Sequence, residues 1–347
     1  TDTAVEMPAR ELDLQINHGG RIYILPCIAG HVGADTAGVI LSEEPQQQKA
    51  MTLLVDVGTN AEIVLGDENR LLACSSPTGP AFEGAQISAG QRAAAGAIER
   101  VRIDPGTLVA RFKVIGSDLW SDEPGFIEET SKFGVTGICG SGIIEVVAEM
   151  YLSGIVTVDG IIDGELASRS PLVVADGRTW SYVLYQSDLT ENQAPILVTQ
   201  NDIRQIQLAK AALYAGVKLL MDKLDIDHVD RIRLAGAFGS HINVQHAMVL
   251  GLIPDCALNQ VSSAGNAAGT GARIALLNNQ SRNTIEDLVT NIEKIETAME
   301  PKFQQYFVDA MAFPNKTDPF PNLFSTIDKP LEKLITESPS GRKRRRR

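Results

Sequence analysis

"LLVDVGTNAEIVLG", residues 53–66, decides how the rest of the chain is read. An apolar run, LLVDV, strikes Gly58-Thr59-Asn60, and a second run, EIVLG, leads away. Two apolar runs around a short Gly-containing turn predict a hairpin. A hairpin needs no acid in its first strand, yet Asp56 stands there. A carboxylate at a strand end beside a Gly-Thr turn has two uses towards a nucleotide. The Gly58, Thr59 and Asn60 backbone N–H groups can cradle terminal phosphates, and Asp56 can hold a hydrated magnesium ion or orient an attacking water. D-x-G-T also describes an ordinary hairpin with an acid at its edge, so the motif alone leaves both readings open.

The bulk numbers narrow the field. A chain of 347 residues, 44% hydrophobic and 21% charged, buries the core of one large or two modest domains. Its net charge is −12 even with the terminal RKRRRR (342–347), so the globular part is more acidic still. That argues against a nucleic-acid-binding face on the body, and the basic end reads as a solvated tail. Cys27, Cys74, Cys139 and Cys256 lie far apart, without zinc or plant-type iron–sulfur spacing, which fits a reducing compartment. No apolar run is long enough for a membrane span and no signal peptide opens the chain, so a cytoplasmic protein without membrane contact is expected. The first residue is Thr1 rather than Met, which fits a piece of a longer polypeptide.

Along the chain, 11–28 reads as two short strands around His18-Gly19-Gly20, and 29–42 as a helix of small residues. LLVDV, EIVLG and RLLACSS form a three-strand meander leading to a glycine-rich loop at 77–99. Mixed β structure fills 100–120, a glycine turn feeds a helix within 134–156, and Asp-Gly marks a hairpin at 172–185. The clearest helix is 200–224, capped by Asn201 or Asp202, with Ile203, Ile206, Leu213, Val217, Leu220 and Leu224 on one face. DRIRLAGAFG follows as strand and turn, then NVQHAMVLGL as helix, a glycine turn into a helix at 263–278, a late strand IEKIETA and a late amphipathic helix PKFQQYFVDAMAF. A β-rich start followed by alternating strand and helix predicts an α/β fold with a mixed sheet.

Two later glycine stretches shift the reading of Asp56. In LAGAFG (234–239), Gly236 and Gly239 let backbone approach a flat or phosphorylated ligand, and GNAAGTGA (265–272) repeats the device at another helix start. Either alone is an ordinary cap or close packing. Both, downstream of D-x-G-T and in this order, are harder to set aside.

At these residues a resemblance emerges. AGHVGADTAGVIL, DVGTNAEIVL, LAGAFGSHINVQHAM and GNAAGTGARIAL resemble the first connecting helix, second phosphate hairpin, adenosine motif and second connecting helix of the actin, sugar-kinase and heat-shock-70 ATPase superfamily. PCIAGHVGADT, GPAFEGAQISAGQRAA, GICGSGIIEVVAE and QLAKAALYAG are similar to the C-terminal part of reductive activators of corrinoid proteins, over about residues 20–313. The resemblance implies a ribonuclease-H-like ATPase fold with a mixed sheet and flanking helices. It implies ATP and magnesium as cofactors, and as partner a corrinoid protein of a methyltransferase system, returned from cob(II)alamin to cob(I)alamin. Carried over, Asp56, Gly58, Thr59 and Asn60 meet phosphates and magnesium. Gly236, Ala237 and Gly239 line the adenosine, with Gln207 and Lys210 as adenine or ribose neighbours and Gly265 and Asn266 at the second glycine turn. Glu83 is a polar contact in the cleft or a loop carboxylate. The domain is expected over 1–313, with a Pro/Phe-rich extension and basic tail over 314–347.

Departures from the family pattern matter as well. One D-x-G-T occurs, and fewer than sixty residues precede it, so the first phosphate lobe is expected to be missing. The iron–sulfur cluster is expected only in a segment absent from this chain, and hydrolysis by the chain alone is expected to be weak or absent. A homodimer is compatible with this reading. Cys139 tempts a redox role but lacks a second cysteine, and the five histidines show no ligand spacing. A partner-docking module without turnover and a small-molecule kinase of the same fold remain the alternatives.

Overall fold

The computed structural model describes residues 1–186 and 194–330; the expected basic tail lies outside the described residues. In chain order, β1 (Val5–Pro8) and β2 (Arg21–Ile24) pair antiparallel and α1 (Ala34–Glu43) follows. β3 (Thr52–Val57), β4 (Ala61–Gly66) and β5 (Leu71–Ser76) form the expected meander. A second body then rises from β6 (Ala97–Ile103), β7 (Ala110–Val114), α2 (Phe126–Thr130), β8 (Gly137–Ile138) and α3 (Gly140–Leu152). It continues through β9 (Val173–Asp176), β10 (Thr179–Tyr185) and β11 (Ile196–Thr199). The long α4 (Gln200–Leu224) returns the chain to the meander and leads to β12 (Arg231–Ala235), α5 (Gly236–His241) and α6 (Val244–Leu250). β13 (Val261–Gly265), α7 (Ala267–Leu277), α8 (Asn279–Asn291), β14 (Glu293–Lys294), α9 (Phe303–Asp309) and α10 (Pro321–Phe324) complete it.

The main sheet has the order β13-β12-β3-β4-β5-β14, antiparallel across the meander and parallel where β12, β13 and β14 join. Neighbouring strand residues point to opposite faces, and here both sets are buried. Leu53, Val55, Ile63, Leu65 and Cys74 belong to one apolar cluster, Leu54, Val64, Leu71 and Ala73 to another. A sheet buried on both faces requires helices on both. α4 covers the first, tied down where the Ser76 hydroxyl donates to the Ala212 carbonyl at 2.6 Å. α1, α7 and α8 cover the second.

α4 spans the expected residues, but its cap is Thr199 rather than Asn201 or Asp202. Thr199 accepts the Asp202 N–H at 3.2 Å, while the Asp202 carboxylate accepts the Thr199 N–H at 2.8 Å, a reciprocal capping box. Asp202 also takes the N–H and hydroxyl of Ser88, which fastens the glycine-rich loop after β5 to the start of α4. Three further differences stand out. The helix α8 is absent from the sequence reading, because only Ile285 and Val289 of it are buried. LAGAFG does not remain a loop: Gly236 opens α5 at once. The extension expected after 313 packs against the fold, with Phe320 and Leu323 at 4% and 0% exposure in the main core.

Candidate functional site

The register of the sheet assembles the site. Asp56 pairs with Ala235, and Ala235 pairs with Gly265, so the three stand side by side at the carboxyl ends of β3, β12 and β13. In open α/β sheets this edge is where ligands bind. The chain leaves β12 through Gly236 at φ +79°, and a β-carbon there would lie 2.5 Å from Asp56 Oδ1. Only a glycine lets α5 begin against that carboxylate.

The turn over the carboxylate is braced from below. The Gly58 N–H donates to the Asn60 carbonyl at 2.9 Å, and the Thr78 hydroxyl donates to the carbonyls of Gly58 and Thr59 at 2.9 and 3.1 Å. Glu83 is brought to the same place, accepting the Thr59 hydroxyl at 3.0 Å. Asn266 caps α7 by accepting the Gly269 N–H at 2.9 Å, which fixes that helix start beside Gly265. α7 and α1 cross at Gly38 and Gly271, and a side chain at 271 would overlap the Gly38 carbonyl oxygen.

Sequence reasoning missed two acids here. Glu62 stands opposite Asp56 in the β3–β4 register, and Asp35 lies in the first turn of α1. Burial and then Asp35 push the Asp56 carboxyl above its usual range. Burial, Asp35 and Asp56 push Glu62 up to about 7, against the opposing Ser75 hydroxyl. The clue was available: Glu62 lies in the strand after the turn at the position that pairs with Asp56. Among the described residues no three His, Cys, Asp or Glu side chains are placed to chelate a metal directly.

Other expected residues go elsewhere. Gly239 packs back on its own strand, where a β-carbon would meet the Leu234 carbonyl at 2.5 Å, and Ala237 lies in α5 with its side chain outside the described part. Gln207 and Lys210 are not cleft residues. Both are buried, at 2% and 0% exposure. Gln207 Nε2 donates to the carbonyls of Asp159 and Met311 at 3.0 and 2.8 Å, and Lys210 Nζ to those of Ala312 and Pro314. With Tyr214 and Lys218 on Asp318, they staple residues 311–318 to one face of α4. Cys139 is a buried thiol beside the Ile98 carbonyl and Ser141 hydroxyl.

A meander continued by two parallel strands, an acid at the end of its first strand and glycine-opened helices beside it define an actin-like ATPase fold. The family model described as the C-terminal domain of RACo, the ASKHA domain, matches residues 50–324, and that of the RACo middle region matches 1–48. The chain belongs to this family. It is 34% identical over 316 residues to the corrinoid activation enzyme RamQ of Eubacterium limosum, covering 89% of this chain and 50% of that protein. It is 25% identical over 350 residues to the [Co(II) methylated amine-specific corrinoid protein] reductase of Methanosarcina barkeri, covering 92% and 60%. A solved reductive activator for corrinoid, iron–sulfur protein superposes with a TM-score of 0.76 at 32% identity, over 93% of this chain and 48% of that one. The chain thus spans about half to three-fifths of these relatives. No helix among the described residues is long and apolar enough to cross a membrane.

Proposed function

We propose that the chain binds ATP with magnesium at the carboxyl ends of β3, β12 and β13, and that turnover there drives reductive activation of a corrinoid protein in a cytoplasmic methyltransferase system, cobalt(II) gaining one electron to become cobalt(I). The observation that carries the reading is the row Asp56–Ala235–Gly265 with Gly236 pressed against Asp56. Magnesium supplies neutralisation of phosphate charge at such a site. Asp56, with Asp35 and Glu62 behind it, offers the negative field that retains a hydrated cation. With the Gly58 N–H spent on the Asn60 carbonyl, the N–H groups of Thr59 and Asn60 are the ones the turn offers, and Glu83 orients the Thr59 hydroxyl. The names of the relatives support the corrinoid protein as partner, and pairing of two copies is part of the proposal. The electron comes from a carrier outside the described residues.

The test follows the cobalt spectrum of a cob(II)alamin-loaded corrinoid protein mixed with the full-length activator and a reductant. Cobalt(I) is expected to form only with ATP and not with Asp56→Ala. Equal formation without ATP, or with Asp56→Ala, contradicts the proposal.

A further inference from the structure

The hairpin β6–β7 gathers cations on one face, and its own packing accounts for only some of them. Val101, Ile103, Phe112 and Val114 bury one face in the core. On the other face the register sets Arg100 directly opposite Lys113 and Arg102 opposite Arg111. Like charges facing each other across a ladder are destabilising. Four cations therefore share one small face of a chain whose net charge is −12.

The geometry holds these cations in place rather than neutralising them all. Glu145, fully buried on α3, accepts Arg100 Nη1 at 2.8 Å and Arg102 Nη1 at 2.6 Å. Its second duty is backbone: Glu145 and Glu149 accept the Val101 and Ile103 N–H groups, both at 3.0 Å, and Glu149 also meets His246 Nε2 at 2.8 Å. Arg100 Nη1 reaches the His241 carbonyl as well, at 3.2 Å. Trp120 lies against the rest of the face, its ring centre 4.8 Å from the Arg111 guanidinium, 5.5 Å from Lys113 Nζ and 6.0 Å from Arg102. Acids of the neighbouring loop are engaged locally: Glu123 accepts the Trp120 N–H at 2.7 Å and Glu129 the Ser117 hydroxyl at 2.8 Å. Asp118 and Asp122 flank Trp120 in the same loop. Beside the face opens a hollow of about 410 Å³, walled by Arg100, Arg102, Asn243 and Gln245 with Ile242 and Leu258. Leu258 precedes β13, whose far end, Gly265, lies at the Asp56 row. At about 3.3 Å per strand residue, the hollow is some way behind the nucleotide edge.

We infer that this face is a docking surface for an acidic patch on a partner protein, with a projecting carboxylate entering the hollow between Arg100, Arg102 and Gln245. Guanidinium groups held by a buried anchor are preorganised to take a carboxylate through their remaining N–H groups. A protein suits the face better than a nucleic acid. Arg111 and Lys113 lie over the Trp120 ring, where a base would otherwise stack, and the acidic body repels a polyanion long enough to run beyond this face. The local cost of opposed cations is the kind of conflict that a binding role accounts for. If the function proposed above holds, the corrinoid protein is that partner; this last assignment rests on that reading.

The test is fluorescence anisotropy of a labelled Glu/Asp-rich peptide against the full-length protein, at low and high salt, with a single-stranded oligonucleotide in parallel. The peptide is expected to bind, more weakly at high salt, and about tenfold or more weaker to the double variant Arg111→Glu, Lys113→Glu. Gln245→Glu, which leaves the Arg–Glu145 pairs intact, is expected to weaken it too. Mg·ATP binding by the same variants is expected to be unchanged. Peptide binding that ignores both variants, or an oligonucleotide that binds at least as tightly, overturns the inference. Loss of Mg·ATP binding in the unaltered protein would instead strike at the proposed function and leave the peptide result standing.

Discussion

Gly236 and Asp56 are packed so closely that a single added methyl group would press on the carboxylate, 2.5 Å from Oδ1. Gly236→Ala combines that contact with a left-handed backbone, φ +79°, which costs a β-carbon about 1 kcal/mol or more. The strain is local to α5, so the expected effect on melting temperature is small. Displacement of Asp56 is expected to weaken Mg·ATP binding by about tenfold or more, measured by calorimetry. Unchanged affinity would separate Gly236 from the site.

The α1–α7 crossing predicts a different outcome, loss of stability. At Gly271 the obstacle is the Gly38 backbone, which cannot swing aside as a side chain can. Gly271→Ala must part the two helices and is expected to cost about 2–4 kcal/mol in urea unfolding. Gly30→Ala, with no atom within 4 Å of its added carbon, is the control and is expected to be close to neutral.

Glu62 gives a trade between stability and binding. It faces Asp56 across the ladder and shares the field of Asp35. Glu62→Gln removes one of three repelling carboxylates, so the magnesium-free protein is expected to melt higher, by the equivalent of about 1 kcal/mol after allowance for solvent screening. The same change is expected to weaken the gain in melting temperature on adding magnesium with ATP. A lower melting temperature in the magnesium-free protein would contradict the repulsion.

Lys210 makes a pH prediction. Full burial holds its ammonium well below the usual lysine range. A neutral amine has two N–H groups, and the carbonyls of Ala312 and Pro314 receive two. Between the lowered folded value and the ordinary value of about 10.4, the unfolded chain binds more protons than the folded one, so stability rises with pH across that window. Lys210→Met is expected to lose this slope. It also leaves two buried carbonyls without their donor, at a cost of about 2–3 kcal/mol. Urea midpoints across the alkaline range, for both proteins, check the two effects together.

These sites differ in how far the sequence could show them. The hairpin around Gly58–Asn60 and the helix starts at Gly236 and Gly265 were legible because turn chemistry and apolar alternation act over a few residues. Glu62 was half-legible, since its pairing with Asp56 follows once the turn length is known. That Gln207 and Lys210 turn into the fold was not legible, because the carbonyls that receive them, on Asp159 and on Met311, Ala312 and Pro314, lie 48 to 104 residues away. Their spacing with Tyr214 and Lys218, a polar stripe on one face of α4, was the only local hint that something covers that face. α8 escaped because a helix that buries two side chains leaves almost no periodic signal. The cationic face of β6–β7 needed the register, which no local pattern supplies.

Asp56 is the residue on which nucleotide binding at this edge turns. Calorimetric titration of Mg·ATP into the complete natural polypeptide, beside its Asp56→Asn variant, measures what that carboxylate does. The expected result is saturable binding that is about tenfold or more weaker in the variant, with the difference vanishing when magnesium is withheld. Equal affinity in the two proteins, or no binding by either, would contradict a nucleotide site at the ends of β3, β12 and β13.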